Sequence, residues 1–152
     1  MHYIREVSVR YGRKRKSSVA VRHPDEIAKL TRKLIRENGK EHFILFCLDG
    51  NHSVIAYNIV SVGTATMTPA HPREIFQPAI LAGSVSIILA HNHPSGNVEP
   101  SREDLATTKN LMEASKYLGI RILDHIIVGQ GTHYSMHEHG HFSASHRNSL
   151  IG

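Results

Sequence analysis

A chain of 152 residues, 40% of them hydrophobic, fits one domain with one core. Its single cysteine, Cys47, excludes a disulfide framework and suits a reducing compartment, and no apolar run approaches the roughly 20 residues of a membrane span, so a cytoplasmic protein with no membrane partner is expected. The net charge of +5 is uneven: residues 1–22 hold seven Lys/Arg against one acid, and the rest holds eleven basic against twelve acidic residues, so the basic character belongs to an arm.

Taken in order, residues 3–11 alternate weakly through Tyr3, Val7, Val9 and Tyr11, which predicts an edge strand. The run Arg13-Lys14-Arg15-Lys16 is the candidate for non-specific nucleic-acid contact, or else a solubilising segment. Pro24 at a first helical position, Asp25 and Glu26 behind it, and Ile27, Leu30, Leu34 and Ile35 at helical spacing predict an amphipathic helix stopped by Asn38-Gly39. A strand over 42–48 runs into Asp49-Gly50-Asn51, a turn that favours a hairpin with 53–60, and a third strand is expected over 61–68. Pro72-Arg73-Glu74 opens a short helix ending near Gly83, with His71 as a cap-region residue.

The next stretch carries the chemistry. Val85–Ala90 is apolar and rich in β-branched residues, a buried strand, and it delivers His91-Asn92-His93-Pro94-Ser95-Gly96. Alternate residues of a strand share a face, so both imidazoles can reach one ion. Pro94, Gly96 and Pro100 constrain the following loop, and Ser101-x-x-Asp104 reads as a helix start that turns Asp104 back toward the strand end. Two histidines and one carboxylate with a fourth position open form a catalytic zinc ligand set. Two look-alikes fail. HNH nucleases draw their residues from separate elements of a ββα unit, and zinc nucleotide deaminases need a Cys-x-x-Cys pair.

A helix over 101–118 broken by Gly119 follows, then a strand over 120–128 with Ile120, Ile122, Asp124, Ile126 and Val128 on one face. Gly129-Gln130-Gly131 turns into a last strand over 132–136. The histidine-rich stretch 137–141, with His146 beyond, has metal-binding composition but no apolar pattern, which predicts a mobile terminal segment, flexible over 143–152.

His91-x-His93-Pro94, Pro100-Ser101 and Asp104 resemble the motif of the JAMM (MPN+) metalloproteases. Ala90-His91-Asn92-His93-Pro94-Ser95-Gly96, His71-Pro72-Arg73-Glu74 and 118–125 are similar to the RadC-like branch of that family, and the similarity runs over about 23–142. The resemblance implies a JAB/MPN-like (cytidine-deaminase-like) α/β three-layer sandwich, a mostly antiparallel curved sheet with helices packed on it. It implies zinc held by His91, His93 and Asp104, Glu41 as the base off the metal, Ser101 as an oxyanion donor, and a protein or peptide substrate cleaved at peptide or isopeptide bonds. Asp124 is the candidate to orient the ligand histidines, because an acid in an apolar row needs a partner; an ion pair with His125 or Arg121 is the alternative. Longer RadC-like proteins carry a helix-hairpin-helix region before this domain, and here only about 22 residues precede the first helix, so a repair role needing that region is not expected. Nor is there room for the insertions with which eukaryotic relatives grip ubiquitin. The competing reading is a repair- or mobile-element-associated nucleic-acid module with a structural or vestigial metal site.

Overall fold

The computed structural model describes residues 3–8, 19–63 and 70–142. The continuous apolar run of β2 (Glu41–Leu48) is the centre of the molecule, buried on both faces from its second residue onward. It pairs antiparallel with β3 (Ser53–Gly63) on one side and with β4 (Ser86–Asn92) on the other. The sheet order is β1-β3-β2-β4-β5-β6, where β1 is Val19–Ala20, β5 Arg121–Val128 and β6 His133–Ser135. Only β4 and β5 run parallel, and α3 (Arg102–Leu118) is the crossover between them.

Alternation on β2 divides the core in two. Phe43, Leu45 and Cys47 face the layer that holds α2 (Pro72–Leu81) and α3, whereas Ile44, Phe46 and Leu48 face α1 (Pro24–Leu34). The architecture is therefore the expected α/β three-layer sandwich, with four of the five strand pairings antiparallel. Helix starts follow from local chemistry. Pro24 opens α1 while Glu26 Oε2 accepts from the Arg22 and His23 backbone N–H at 2.6 and 3.1 Å, and His71 caps α2 by accepting from Arg73 N.

Several expectations need correction. Residues 3–8 form no strand and lie exposed, while the edge strand is Val19–Ala20; 9–11, the basic run 13–16 and the tail 143–152 fall outside the described residues. Helix α1 ends at Leu34 rather than Asn38-Gly39, because Ile35 turns extended and packs on the α1-side core. The two strands expected over 53–68 are one, Ser53–Gly63, continuing through Val60 with two register shifts against β2 that leave Val60 and Ile55 as extra residues; 64–68 lie outside the described residues. In β5 the row Ile120–Val128 does not share a face. The register shift between Ile87/Ile122 and Ile88/Asp124 inserts Leu123, so Ile122 faces α2 and α3 while Ile126 and Val128 face α1. Nor is 137–142 loose: Met136 and Phe142 are buried, His139 stacks on Tyr134 at 3.9 Å, and the Tyr134 hydroxyl lies 2.8 Å from His141 Nε2.

Candidate metal centre

Glu41, His91, His93 and Asp104 each bring one potential ligand atom into a group whose members lie within 4.8 Å of one another, the single such cluster among the described residues. Three elements build it. Strand β4 carries His91 near its end and His93 just past it, β2 begins with Glu41, and α3 presents Asp104 from its first turn. The Ser101-to-Asp104 capping box is real: Ser101 Oγ accepts from Asp104 N at 3.0 Å, and Asp104 Oδ2 accepts from Ser101 N at 2.9 Å. The cap that starts the helix thus also aims the carboxylate. Asp104 spans the histidines, with Oδ1 at 3.2 Å from His91 Nε2 and Oδ2 at 3.0 Å from His93 Nε2. Glu41 stands off, its Oε1 4.0 Å from His91 Nε2.

The donor chemistry fits a cation. His93 Nδ1 lies 2.6 Å from the Asn97 carbonyl, which can only accept, so Nδ1 carries a proton and Nε2 is the nitrogen that can offer a lone pair to a cation. That atom is 3.0 Å from His91 Nε2 and 3.0 Å from a carboxylate oxygen. Donors about 2.0 Å from a tetrahedral ion would be about 3.3 Å apart, close to these separations. Without an ion the cluster responds by holding protons. The Asp104 hydrogen bond raises His93 above the ordinary imidazole value against the opposing effect of burial. Burial would raise Asp104, but the bonds from His91 and His93 outweigh it and hold that carboxyl well below the carboxylate range.

The four residues singled out in the sequence as metal ligands and base come together, but the residue expected behind the histidines does not. Asp124 does not approach either histidine, and pairs with neither the His125 ring nor Arg121. Its Oδ1 accepts from His125 N at 2.7 Å and His137 N at 3.0 Å, and its Oδ2 from Ser135 Oγ at 2.6 Å. The residue behind His91 is His125, whose Nε2 lies 2.7 Å from His91 Nδ1 and whose Nδ1 lies 2.6 Å from Thr108 Oγ1. His125 is fully buried, and burial pushes its pKa well below the ordinary value, which keeps it neutral. Phe43, directly opposite His91 in the ladder, stacks on it within 7° and walls the ring. The signal that could have found His125 was the bulge, which no periodicity argument reveals.

Two further residues hold the frame. Asn92, between the ligand histidines, points the other way: its Oδ1 accepts from His42 N at 2.7 Å and its Nδ2 donates to the Lys40 carbonyl at 2.9 Å, so it grips both neighbours of Glu41. Gly129 lets the loop after His93 close on the β5–β6 turn, since a Cβ there would meet Gly96 O at 2.8 Å and Val98 Cγ1 at 2.9 Å. Arg32 of α1 fastens that turn through the Gly129 and Thr132 carbonyls. His71 is away from the cluster, as the cap of α2.

Comparison with known proteins bears on the same residues. The model of a family described as the RadC-like JAB domain matches residues 21–141. A UPF0758 protein of Rubrobacter xylanophilus is 48% identical over 117 residues, which cover 77% of this chain and 51% of that protein. Others from Methanosarcina barkeri and Clostridium acetobutylicum are 42% identical over 117 residues (77% and 51%) and 46% identical over 123 (81% and 54%). The chain spans about half the length of the curated relatives it matches.

Proposed function

The chain belongs to the RadC-like JAB domain family, and from that premise we propose that it is a zinc-dependent hydrolase of peptide or isopeptide bonds, with His91, His93 and Asp104 holding the ion. The observation that carries the reading is the standing of Glu41: three donors lie 3.0–3.2 Å from one another while the fourth group, the Glu41 carboxylate, waits 4.0 Å from His91 Nε2. A scaffold metal has no use for a carboxylate held beside it and off the ligand set, whereas a hydrolase needs one.

When bound, the zinc ion polarises water and the scissile carbonyl. Glu41 accepts the proton of the attacking water as its oxygen joins the carbonyl carbon, and returns that proton to the leaving nitrogen as the C–N bond breaks. Ser101 Oγ already accepts from Asp104 N, so its proton remains for donation to the developing oxyanion. The neighbours of Glu41 are pinned by Asn92, which supplies the base at a fixed position rather than from a loop.

The test is Glu41→Gln. It keeps size and reach but cannot take a proton at neutral pH. Zinc content and folding should survive while hydrolysis of a peptide, found first by screening a library, falls about a hundredfold to ten-thousandfold. Cleavage at the parent rate overturns the mechanism. Loss of zinc makes Glu41 a fourth ligand and the site closed and structural, which favours the alternative of a nucleic-acid-associated module resting on the charge of 13–16.

A further inference from the structure

A chain of three short contacts links His91 to Asp104 through residues outside the cluster. From His91 Nδ1 to His125 Nε2 is 2.7 Å, from His125 Nδ1 to Thr108 Oγ1 is 2.6 Å, and from Thr108 Oγ1 to the Asp104 carbonyl is 2.7 Å. A separate contact of the same kind joins His93 Nδ1 to the Asn97 carbonyl. Each gap is too short to hold two lone pairs with nothing between them, so each needs one proton. The Asp104 carbonyl can only accept, so the Thr108 hydroxyl proton lies in that gap, in the helical i−4 pattern open to threonine. The Thr108 oxygen then faces His125 with a lone pair, and the proton in the second gap belongs to His125 Nδ1. His125 has no exposure to water and no carboxylate on its ring, and a buried imidazole without a counter-charge carries one proton rather than two, so its Nε2 is bare and the proton in the first gap belongs to His91 Nδ1. The consequence falls at the other end: with Nδ1 holding its own proton, His91 Nε2 is the nitrogen that faces the cluster and can offer a lone pair to an ion. Reversing the Thr108 hydroxyl reverses every step and puts a proton on the nitrogen that must ligate.

We propose that His125 and Thr108 are positioning residues that set the tautomer of His91, so that a hydroxyl on α3 decides whether a nitrogen on β4 can bind metal. The inference rests on the cluster holding a metal ion, but not on the protein being a hydrolase. The chain also closes on itself: it begins at one ligand, His91, and ends on the backbone of another, Asp104. Ligand orientation and helix position are therefore one arrangement. The Met136 sulfur, 3.5 Å from Thr108 Oγ1, completes the enclosure and offers only a weak competing acceptor.

The experiment uses Thr108→Val, which keeps the shape of the side chain and removes the hydroxyl, with Thr108→Ser as the conservative rescue. Zinc affinity is measured by competition with a chromophoric chelator. Histidine tautomers are read separately from imidazole nitrogen shifts in 15N-labelled, metal-free protein. The parent should bind zinc and, metal-free, keep a proton on Nδ1 of both His91 and His125, so that Nε2 of His91 is the nitrogen an arriving ion takes. Thr108→Val should move the His91 and His125 protons to Nε2, leave His93 unchanged, and weaken zinc binding about 10- to 100-fold. Thr108→Ser should restore both readouts. His125→Gln, whose amide offers an acceptor to His91 and a donor to Thr108, should retain more affinity than His125→Leu. Parent-like affinity and tautomers in Thr108→Val overturn the inference while leaving the metal site standing. A parent that binds no zinc removes both the inference and the proposed function.

Discussion

Replacing Asp124 by alanine removes the acceptor of three donors at once: His125 N at 2.7 Å, His137 N at 3.0 Å and Ser135 Oγ at 2.6 Å. The hydroxyl cannot easily turn away, because Ser135 Oγ also accepts from Glu138 N. Each donor stranded out of water costs about 1–3 kcal/mol, with the half-buried His137 N at the low end, so the variant should lose about 3–5 kcal/mol. Asp124→Asn keeps one oxygen for the two backbone donors and can donate to the Ser135 oxygen, and should stay within about 1 kcal/mol of the parent near pH 4. The difference should then change with pH. Burial raises the Asp124 carboxyl pKa against the three hydrogen bonds that favour its charged form. A group raised on folding contributes stability that is fully present below its unfolded value of about 3.9 and is lost as pH rises through the folded value. The asparagine variant does not titrate, so its stability should gain on the parent between about pH 4 and neutrality. Urea unfolding in a chelator, so that metal binding contributes nothing, measures both effects. A cost below about 1 kcal/mol for the alanine variant, or a gap between parent and asparagine variant that shrinks as pH rises, would refute the reasoning.

Elemental analysis of His93→Ala should show zinc lost, and the parent's affinity should fall as pH drops through the histidine range, where protons compete for the nitrogens; a pH-independent affinity would point to other ligands. Gly129→Ala should destabilise by about 1–3 kcal/mol through overpacking and weaken zinc binding about tenfold, since its Cβ would displace the peptide before Asn97 and so the partner of His93. Calorimetry finding the parent's zinc affinity in that variant would show the loop to be independent of the turn. Deleting residues 1–16, which spares β1, should abolish any salt-sensitive binding to DNA and leave zinc content unchanged; equal binding by the truncated chain would clear the basic run of that role.

What was legible in the sequence was whatever depends on short-range order. His-x-His on a strand, the Ser101 cap, Pro24 and Gly119 each act within a few residues, and each element appears where local chemistry puts it. Errors cluster where a neighbouring strand decides the outcome. Alternation along 120–128 could not reveal that pairing with β4 inserts Leu123, and that one residue exchanged the place expected of Asp124 for His125. The order in 137–142 was hidden for the same reason, since Met136 and Phe142 become anchors only once the core exists to receive them.

The backbone ladder between β2 and β4 stops at Phe43 and His91, two residues short of the end of β2, so ordinary sheet bonding does not reach Glu41 from that side. The Asn92 amide continues it with a side chain, like a dowel set through two boards just past the glue line. Strand residues advance by about 3.3 Å each, and a slip of one residue would turn Glu41 to the opposite face of the sheet. Because the dowel grows from the same tripeptide that carries both imidazoles, any movement of β4 carries the start of β2 with it. The spacing between Glu41 and the two imidazoles is thereby tied by one side chain as well as by the sheet.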